Sequence, residues 1–405
     1  MVSGVAEKFE STSTSTSTST STSTSTSTST GTEELTQGEK SNVKAMSVCE
    51  TDLSAGAASL PHPSRSGFLF SPAIDLFFIA NAFWPLLLLV DRLGGIATHQ
   101  SLLFWQIYFV TAPHRWITLI LVTVDHHKGI DRRRQFLAFG TAILIACLCL
   151  KMGTGSLLCL GVIDYIWNAW HFASQHHGVF RIYQRKSKST NSSGTSGPTR
   201  FATTKPLAAT LEKAVFRCFM LYVIARVAGW GWSEGPFDGF QWVSSLDWGV
   251  LVVPVAFAGR QCFQYAVART VSLASVAYLT SVMTLFASLL LASHFENNQW
   301  VVQLALASAI FHSLEYMSIV TWSMSGSRGS SQANALARLS KMWLLFLVIF
   351  VVVIGLGNYL LSRGYFELWV FVNIVVAFWH YCFDGMIWKS RKPSSASKPS
   401  PAIAS

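Results

Sequence analysis

Apolar runs about as long as a bilayer is thick constrain the fold of this chain more than any other feature. They recur from Gly67 onward. A helix needs about 20 mostly apolar residues to cross the hydrocarbon core, and only helices and closed barrels satisfy their backbone polar groups there. The chain is 51% hydrophobic and 12% charged, with 15 Trp and 28 Phe. The sequence therefore predicts an all-α fold, a polytopic integral membrane bundle of helices.

The runs divide into about ten predicted spans, near 67–90, 101–124, 135–150, 156–178, 207–229, 240–258, 269–293, 299–323, 341–361 and 365–388. Two of them are interrupted by polar residues. Glu212, Lys213 and Arg217 lie in the fifth span, and Asp247 and Pro254 lie in the sixth. Either segment could lie along the membrane surface instead of crossing it.

Charge in the loops predicts the orientation. The segments after the second, fourth, eighth and tenth spans are basic: KGIDRRR, RIYQRKSKS, SRGSSQANALARLSK and KSRKPSSASK. Because cytoplasmic loops are enriched in Lys and Arg, we expect both termini to be cytoplasmic and the membrane to be the plasma (inner) membrane. The net charge of +10 is explained by these loops, so no nucleic-acid partner is expected.

Composition divides the chain into three parts. Residues 1–64 are a Ser/Thr-rich leader with no apolar face, which predicts disorder. Residues 65–389 form the predicted helical membrane domain, with an intramembrane metal site. Residues 390–405 form a basic tail that is also predicted to be disordered. The seven cysteines include no Cys-x-x-Cys pair, and we interpret them as small buried hydrophobic residues.

Histidines inside the spans are the strongest functional signal. His114, His171, His312 and His380 lie in the second, fourth, eighth and tenth spans, which all run in the same direction. At 1.5 Å per residue they fall roughly in one layer of the inner leaflet. Ionisable groups in spanning helices are costly and mark sites, and imidazole is the commonest protein metal ligand. The sequence therefore predicts a metal site at this depth.

Further polar residues extend this prediction. His176 and His177 end the fourth span and could bind a second metal, or could face lipid phosphates. An acid lies within helical reach of each of the four core histidines, and these acids are the candidate catalytic residues: Asp125, Asp164, Glu315 and Asp384. A ligating histidine usually donates its other N–H to a carboxylate or carbonyl. We therefore expect the acids to orient the imidazoles or to complete the ligand set.

The kind of ligand indicates the chemistry. Imidazole with carboxylate and without thiolate suits iron, copper or zinc, and non-haem Fe(II) is the usual choice for dioxygen chemistry. A site within the membrane suits a substrate that dissolves in the bilayer. The expected partners are thus a lipophilic small molecule and membrane lipids.

Short motifs around the histidines resemble those of the Brp/Blh family of integral-membrane carotenoid-cleaving dioxygenases. The similar pieces are Ala112-Pro113-His114, Trp170-His171-Phe172, Phe311-His312-Ser313, and His380 followed by Asp384. The resemblance implies iron held by dispersed histidines on membrane helices and central cleavage of β-carotene to retinal with dioxygen. Two departures stand out. Arg115 and Trp116 replace a Gly and a close Asp, and Tyr316 replaces a second histidine.

Three alternatives stay open from the sequence. A histidine-box di-iron lipid desaturase or hydroxylase would use the doublets His126-His127 and His176-His177, with two irons and an electron-donor protein. A haem protein would use an axial pair such as His114 and His312. A proton-coupled transporter would use the histidines and acids as a relay.

Overall fold

The computed structural model describes residues 67–124, 129–192, 206–234, 240–268, 270–326 and 342–387. All of them belong to one compact unit, Pro63–Ser405. The predicted leader 1–64, the predicted tail 390–405, Asp125 and the doublet His126-His127 lie outside the described residues. Within those residues every regular element is a helix, which confirms the all-α prediction.

The α-helices are numbered in chain order. They are α1 Pro72–Ile74, α2 Trp84–Trp105, α3 Ala112–Val124, α4 Gly129–Thr154, α5 Leu158–Ser192, α6 Pro206–Val227, α7 Asp247–Val250, α8 Val252–Ala266, α9 Leu273–His294, α10 Asn298–Gly326, α11 Trp343–Gly364 and α12 Phe366–Ile387. The π-helical segments Asp75–Ile79 and Gln106–Thr111 continue α1 and α2. A 3-10 helix, Gln241–Leu246, precedes α7.

Six helical segments in the described part of the chain are long and apolar enough to cross a membrane: Arg133–Thr154, Gln241–Ala266, Leu273–His294, Asn298–Ser323, Trp343–Gly364 and Phe366–Ile387. A seventh results if Pro72–Ile79 and Trp84–Thr123, which are bent by 55° relative to each other, form one broken span. The fold is therefore that of a helical protein with several long apolar helices, as a membrane protein requires.

The candidate spans are fewer than the ten predicted, and the difference lies mainly in α5 and α6. Both segments are helical where spans were predicted, but neither is a candidate span. In α5 the polar residues Asp164 and His171 lower the hydropathy, and in α6 Glu212, Lys213 and Arg217 add charge. In α5, His171 and His176 belong to the buried site described below. The polar residues of the site therefore lower the hydropathy of α5 below that of a candidate span.

The segment before His114 departs twice from regular helix geometry. Gly95 adopts φ 66° and ψ −162° inside α2, a left-handed conformation that glycine adopts without steric cost. The π-helical turn Gln106–Thr111 ends directly before Ala112-Pro113. Proline lacks the N–H that an α-helix needs, and a widened turn accommodates this loss. His114 consequently lies in the first turn of α3.

Buried helices form the centre of the bundle. Of the most apolar stretch of each helix, 56% is buried in α9 and 61% in α10, against 11% in α4 and 17% in α11. The main core cluster joins α5, α6, α9 and α10 through residues such as Tyr183, Phe216, Tyr278 and Phe286. Because lipid tails are as apolar as these side chains, close packing holds such helices together rather than removal from water.

Four helices form a closed ring within this bundle. α3 packs on α10, α10 on α5, α5 on α12, and α12 on α3. Each of the four carries one of the predicted core histidines. The ring therefore determines where those histidines lie relative to one another.

Candidate functional site

The four core histidines meet at the centre of the helix ring. Their ring centroids are 5.2 Å apart for His114 and His312, 4.9 Å for His114 and His380, 5.4 Å for His171 and His312, and 4.7 Å for His171 and His380. These contacts form a closed circuit of four imidazoles. The side chains are buried, with exposures between 0 and 6%.

The spacing of the rings can be compared with that of metal ligands. Two imidazole nitrogens about 2.1 Å from one ion, at an angle of about 90–110°, stand about 3.0–3.4 Å apart, with ring centroids about 4.5–5.3 Å apart. The four centroid distances lie within or close to this range. The Nε2 atoms of His171 and His380 are 3.1 Å apart, a distance that fits a hydrogen bond and two ligands of one ion equally well.

Hydrogen bonds define the state of the His114 ring. Its Nδ1 lies 2.8 Å from the Thr111 carbonyl oxygen and 3.2 Å from Ser313 Oγ. A carbonyl only accepts, so Nδ1 carries the proton and Nε2 keeps a lone pair. That Nε2 is buried without a hydrogen-bond partner among the described residues. Leaving such a group unpaired costs about 1–3 kcal/mol.

His312 has fewer hydrogen-bond partners than His114. Its ring stacks on Phe172 with centroids 3.9 Å apart and an interplanar angle of 17°. Neither Nδ1 nor Nε2 has a hydrogen-bond partner in the described part of the chain. A side chain with two unpaired nitrogens in a dry core is expected where a ligand completes the site.

The His380 ring is held from α3. Its Nδ1 lies 2.7 Å from Thr118 Oγ1, which lies 2.8 Å from the Tyr316 hydroxyl. The neighbours of both His380 nitrogens are therefore Thr118 and His171, whereas the sequence suggested Asp384. Asp384 lies one turn further along α12 and is half-buried. Thr118 was missed, although its position four residues after His114 places it on the same face of α3.

Glu315 is placed beside a different histidine from the one the sequence suggested. The fully buried carboxylate accepts from His176 Nδ1 at 2.8 Å, the Tyr278 hydroxyl at 2.8 Å and Gln175 Nε2 at 3.1 Å. Because the carboxylate accepts from Nδ1, the lone pair of His176 lies on Nε2, which is buried and unpaired among the described residues. A carboxylate behind an imidazole is the usual support of a ligating histidine.

His176 adjoins the circuit, since its ring centroid is 5.9 Å from that of His312. The surrounding side chains are aromatic: Phe172, Phe286 and Phe311 all contact the His176 ring. The unpaired Nε2 is thus enclosed in an aromatic environment, and the His176 side chain is fully buried. Tyr278, which holds Glu315 from α9, had no signal in the sequence.

Asp164 is linked to the histidine circuit through Tyr381. The single Tyr381 hydroxyl proton faces two acceptors, Asp164 Oδ1 at 3.1 Å and Asn168 Oδ1 at 3.0 Å. The Tyr381 ring lies 4.9 Å from the His171 ring, centroid to centroid. Asp164 therefore fixes the aromatic side chain against which His171 packs.

His177 lies apart from the cluster. Its ring contacts Phe216 of α6 at 5.5 Å, on the side of α5 that faces away from His312. Of the two neighbouring histidines, the structure thus brings only His176 to the circuit. Asp125, the acid predicted for His114, is outside the described residues.

Within the described residues, no group of three or more His, Cys, Asp or Glu side chains has its donor atoms arranged to hold a metal ion as the side chains stand. The circuit nevertheless has the ring spacing of ligands and several unpaired nitrogens.

Comparisons with known proteins identify no relative. No protein-family model matches this chain. No curated protein and no solved structure matches it either. The Brp/Blh resemblance therefore stays a prediction from the sequence motifs.

Proposed function

We propose that this chain is an integral membrane non-haem iron oxygenase that oxidises a bilayer-soluble lipid or isoprenoid. One observation carries the proposal: four buried imidazoles from four helices form a closed circuit in which His114 and His312 have unpaired nitrogens. Burying several unpaired nitrogens together costs several times about 1–3 kcal/mol, and an ion that accepts their lone pairs removes that cost. The aliphatic and aromatic surroundings suit a lipophilic substrate.

The residues proposed to hold the iron are His114, His171, His312 and His380, and His176 is the further candidate. Imidazole and carboxylate without thiolate are a donor set that suits Fe(II). When bound, iron supplies an open position at which dioxygen can react. Asp125 and Asp384 are proposed as additional supporting carboxylates.

The surrounding side chains of the chain orient the ligands. The Thr111 carbonyl and Thr118 Oγ1 hold Nδ1 of His114 and His380, which leaves Nε2 of each ring for the ion. Glu315 holds Nδ1 of His176 and thereby orients its Nε2 as a ligand. The buried setting also strengthens these charge interactions, because the effective dielectric constant is lower than in water.

Other functions are less well supported by this geometry. A haem needs two imidazoles that face each other across the macrocycle, whereas His114 and His312 contact each other edge to face. A di-iron desaturase needs a second histidine set, and His177 faces α6 instead. A proton-coupled transporter would move protons without bound metal.

The membrane topology is part of the proposal. We place ten spans in the plasma (inner) membrane with both termini in the cytoplasm, because basic loops follow only even-numbered predicted spans. Reporter fusions after residues 188 and 234 should give opposite locations. Equal locations would exclude this arrangement of α5 and α6.

Metal content tests the site directly. The protein is purified in detergent, and its iron, copper and zinc contents are measured together with its optical spectrum. We expect about one iron per chain and no Soret band. His→Ala at each of the four circuit positions should abolish iron retention, whereas His294→Ala, outside the circuit, should not. Retained iron in both His312→Ala and His380→Ala would exclude the assignment.

Turnover tests the reaction. The chain is expressed in bacteria that accumulate β-carotene, with His312→Ala as the inactive control. Oxygen-dependent loss of colour and formation of aldehyde are expected from the wild type only. If the wild type retains iron but oxidises neither β-carotene nor any extracted membrane lipid, the chain is an iron protein and the oxygenase proposal is wrong. Proton flux without metal would favour the transporter, and two irons per chain would favour the desaturase.

A further inference from the structure

A second group of polar side chains lies away from the histidine circuit, where α5 packs against α6. It consists of His177 and Arg181 on α5 and of Lys213 and Arg217 on α6, and we name it the α5–α6 basic cluster. Each pair is four residues apart, so each helix presents its two residues on one face. Arg217, Arg181 and Lys213 all lie close enough for their charges to act on the His177 ring, and Arg217 acts likewise on Lys213.

No acid among the described residues forms an ion pair with the cations of this cluster, and the neighbouring carboxylate, Glu212, is linked to Arg181 only through Gln184 Nε2 at 3.3 Å. Arg181 Nη1 donates to the neutral amide oxygen of Gln184 at 2.9 Å. The ion pairs among the described residues include none of Arg181, Lys213 and Arg217. Glu212, the neighbouring acid, is paired with Arg260 at 3.0 Å. Like charges four residues apart on a helix destabilise it, so an anion between the two helices would relieve a real repulsion.

Two nitrogens of the cluster are buried without a partner among the described residues. His177 is 7% exposed, and its Nε2 and the Nε of Arg217 are both unpaired. The Arg217 guanidinium lies 4.7 Å above the Trp170 ring, which holds it in place. Lys213 is exposed and marks the accessible side. The cluster therefore combines two buried, unpaired nitrogens with an exposed cation at its edge.

The surroundings of the cluster are apolar on one side and basic on the other. An exposed stripe on α5 leads up to it: Leu158, Val162, Ile166 and Trp170. α6 runs antiparallel to α5, since Tyr165 contacts Ile224 and Gln184 contacts Glu212. Beyond His177, α5 continues with the basic sequence RIYQRKSK. This change from apolar to basic surface is typical of the level of lipid headgroups.

We propose that the α5–α6 basic cluster binds the phosphate of an anionic phospholipid. Basic pockets between membrane helices are suited to anionic headgroups. Arg181, Lys213 and Arg217 supply donors for the phosphate oxygens, and the exposed apolar stripe on α5 accepts the acyl chains. That stripe favours a lipid over free phosphate, which shares the anionic chemistry but has no chains. The site is independent of the proposed iron function.

Native mass spectrometry of the full chain in neutral detergent tests this site. The probes are dioleoyl phosphatidylglycerol, dioleoyl phosphatidylcholine and inorganic phosphate, each titrated separately. We expect retention of phosphatidylglycerol and weaker retention of phosphatidylcholine. Substituting Lys213→Gln and Arg217→Gln together should raise the dissociation constant for phosphatidylglycerol about 25-fold, from about fivefold (about 1 kcal/mol) for each cation.

The matched control removes two exposed cations of α4, Arg133→Gln and Arg134→Gln, and should change the dissociation constant less than about twofold, because its charges lie outside the cluster. If the double variant in α6 does not fold, the single variant Lys213→Gln, at an exposed position, carries the test with about a fivefold loss.

Equal binding by the cluster variant and the wild type would overturn the proposal. If inorganic phosphate displaces phosphatidylglycerol at equal concentration, the cluster binds a free anion, and the proposal of a lipid site is wrong. Iron content should be unchanged in all these variants.

Discussion

Replacing His312 by Phe tests whether His312 is a metal ligand or a structural side chain. The two roles predict effects of opposite sign on the stability of the metal-free protein. The His312 ring stacks on Phe172 at 3.9 Å, is 2% exposed and has two nitrogens without a partner among the described residues. A phenyl ring preserves the stacking and removes both unpaired nitrogens. In the metal-free protein the substitution should therefore stabilise the fold.

The magnitude follows from these contacts. Two unpaired nitrogens at about 1–2 kcal/mol each give a gain of about 2–4 kcal/mol. The larger six-membered ring costs about 1 kcal/mol in a packed core, so the net gain is about 1–3 kcal/mol. In the iron-bound protein the wild type should be more stable than His312→Phe. Iron that binds only the folded state stabilises the wild type, whereas the variant has lost one of the side chains that hold the iron.

Thermal unfolding in detergent, with and without a chelator, measures both effects. A gain of 1 kcal/mol raises the midpoint by about 2–4 °C, so metal-free His312→Phe should melt several degrees above metal-free wild type. The control is His294→Phe. It removes a bond of 3.0 Å to buried Asp247 and should lower the midpoint with or without chelator while iron content stays unchanged.

The opposite outcome would refute the reasoning. If chelator-treated His312→Phe melts below chelator-treated wild type, and the untreated variant still retains iron, then the His312 nitrogens stabilise the fold through hydrogen bonds. The circuit would then be a packing feature of the bundle, and the proposed iron site would lose its central ligand.

Three further changes test the supports of the site and of the fold. Glu315→Gln should weaken iron binding about 10–100-fold, since the carboxylate behind His176 is lost; a chelator competition that shows no change would remove that role. Thr118→Val keeps the side-chain shape but deletes the hydroxyl beside the α12 imidazole, so we expect about a tenfold loss of iron affinity and a melting midpoint a few degrees lower, because His380 Nδ1 loses its buried partner. Arg226→Met leaves the buried Asp247 carboxylate without its guanidinium at 2.9 Å and should cost about 3–5 kcal/mol of stability, at unchanged iron content. A melting midpoint equal to that of the wild type would contradict this last expectation.

Hydropathy predicted the class of fold and a helix at each of the four positions around the site, although α5 is not long and apolar enough to be a candidate span. The long apolar runs of α9 to α12 identify membrane helices, because a bilayer requires that length and polarity. α5 is harder to recognise, since Asp164, Asn168, His171 and Gln175 lower its hydropathy. Of these, His171 and Gln175 contact the circuit or its supporting carboxylate directly.

The orienting partners of the histidines could not be read from helical spacing alone. Spacing shows which residues share a face of one helix, and it paired Glu315 with His312 and Asp384 with His380. In the structure Glu315 holds His176 on α5, and Thr118 on α3 holds His380. Both partners come from a neighbouring helix, so the rotation of each helix about its axis decides them.

The sequence by itself determined that this protein is helical, that it carries several helices of membrane length, and that the histidines lie inside those helices. These properties depend only on residue type and on spacing along one helix. The tertiary structure alone decided that four imidazoles form one circuit, that His176 joins them and that His177 faces a separate basic cluster. Those outcomes depend on how α3, α5, α10 and α12 pack, because the relative depth and rotation of packed helices are set by side-chain contacts between chain segments far apart in sequence.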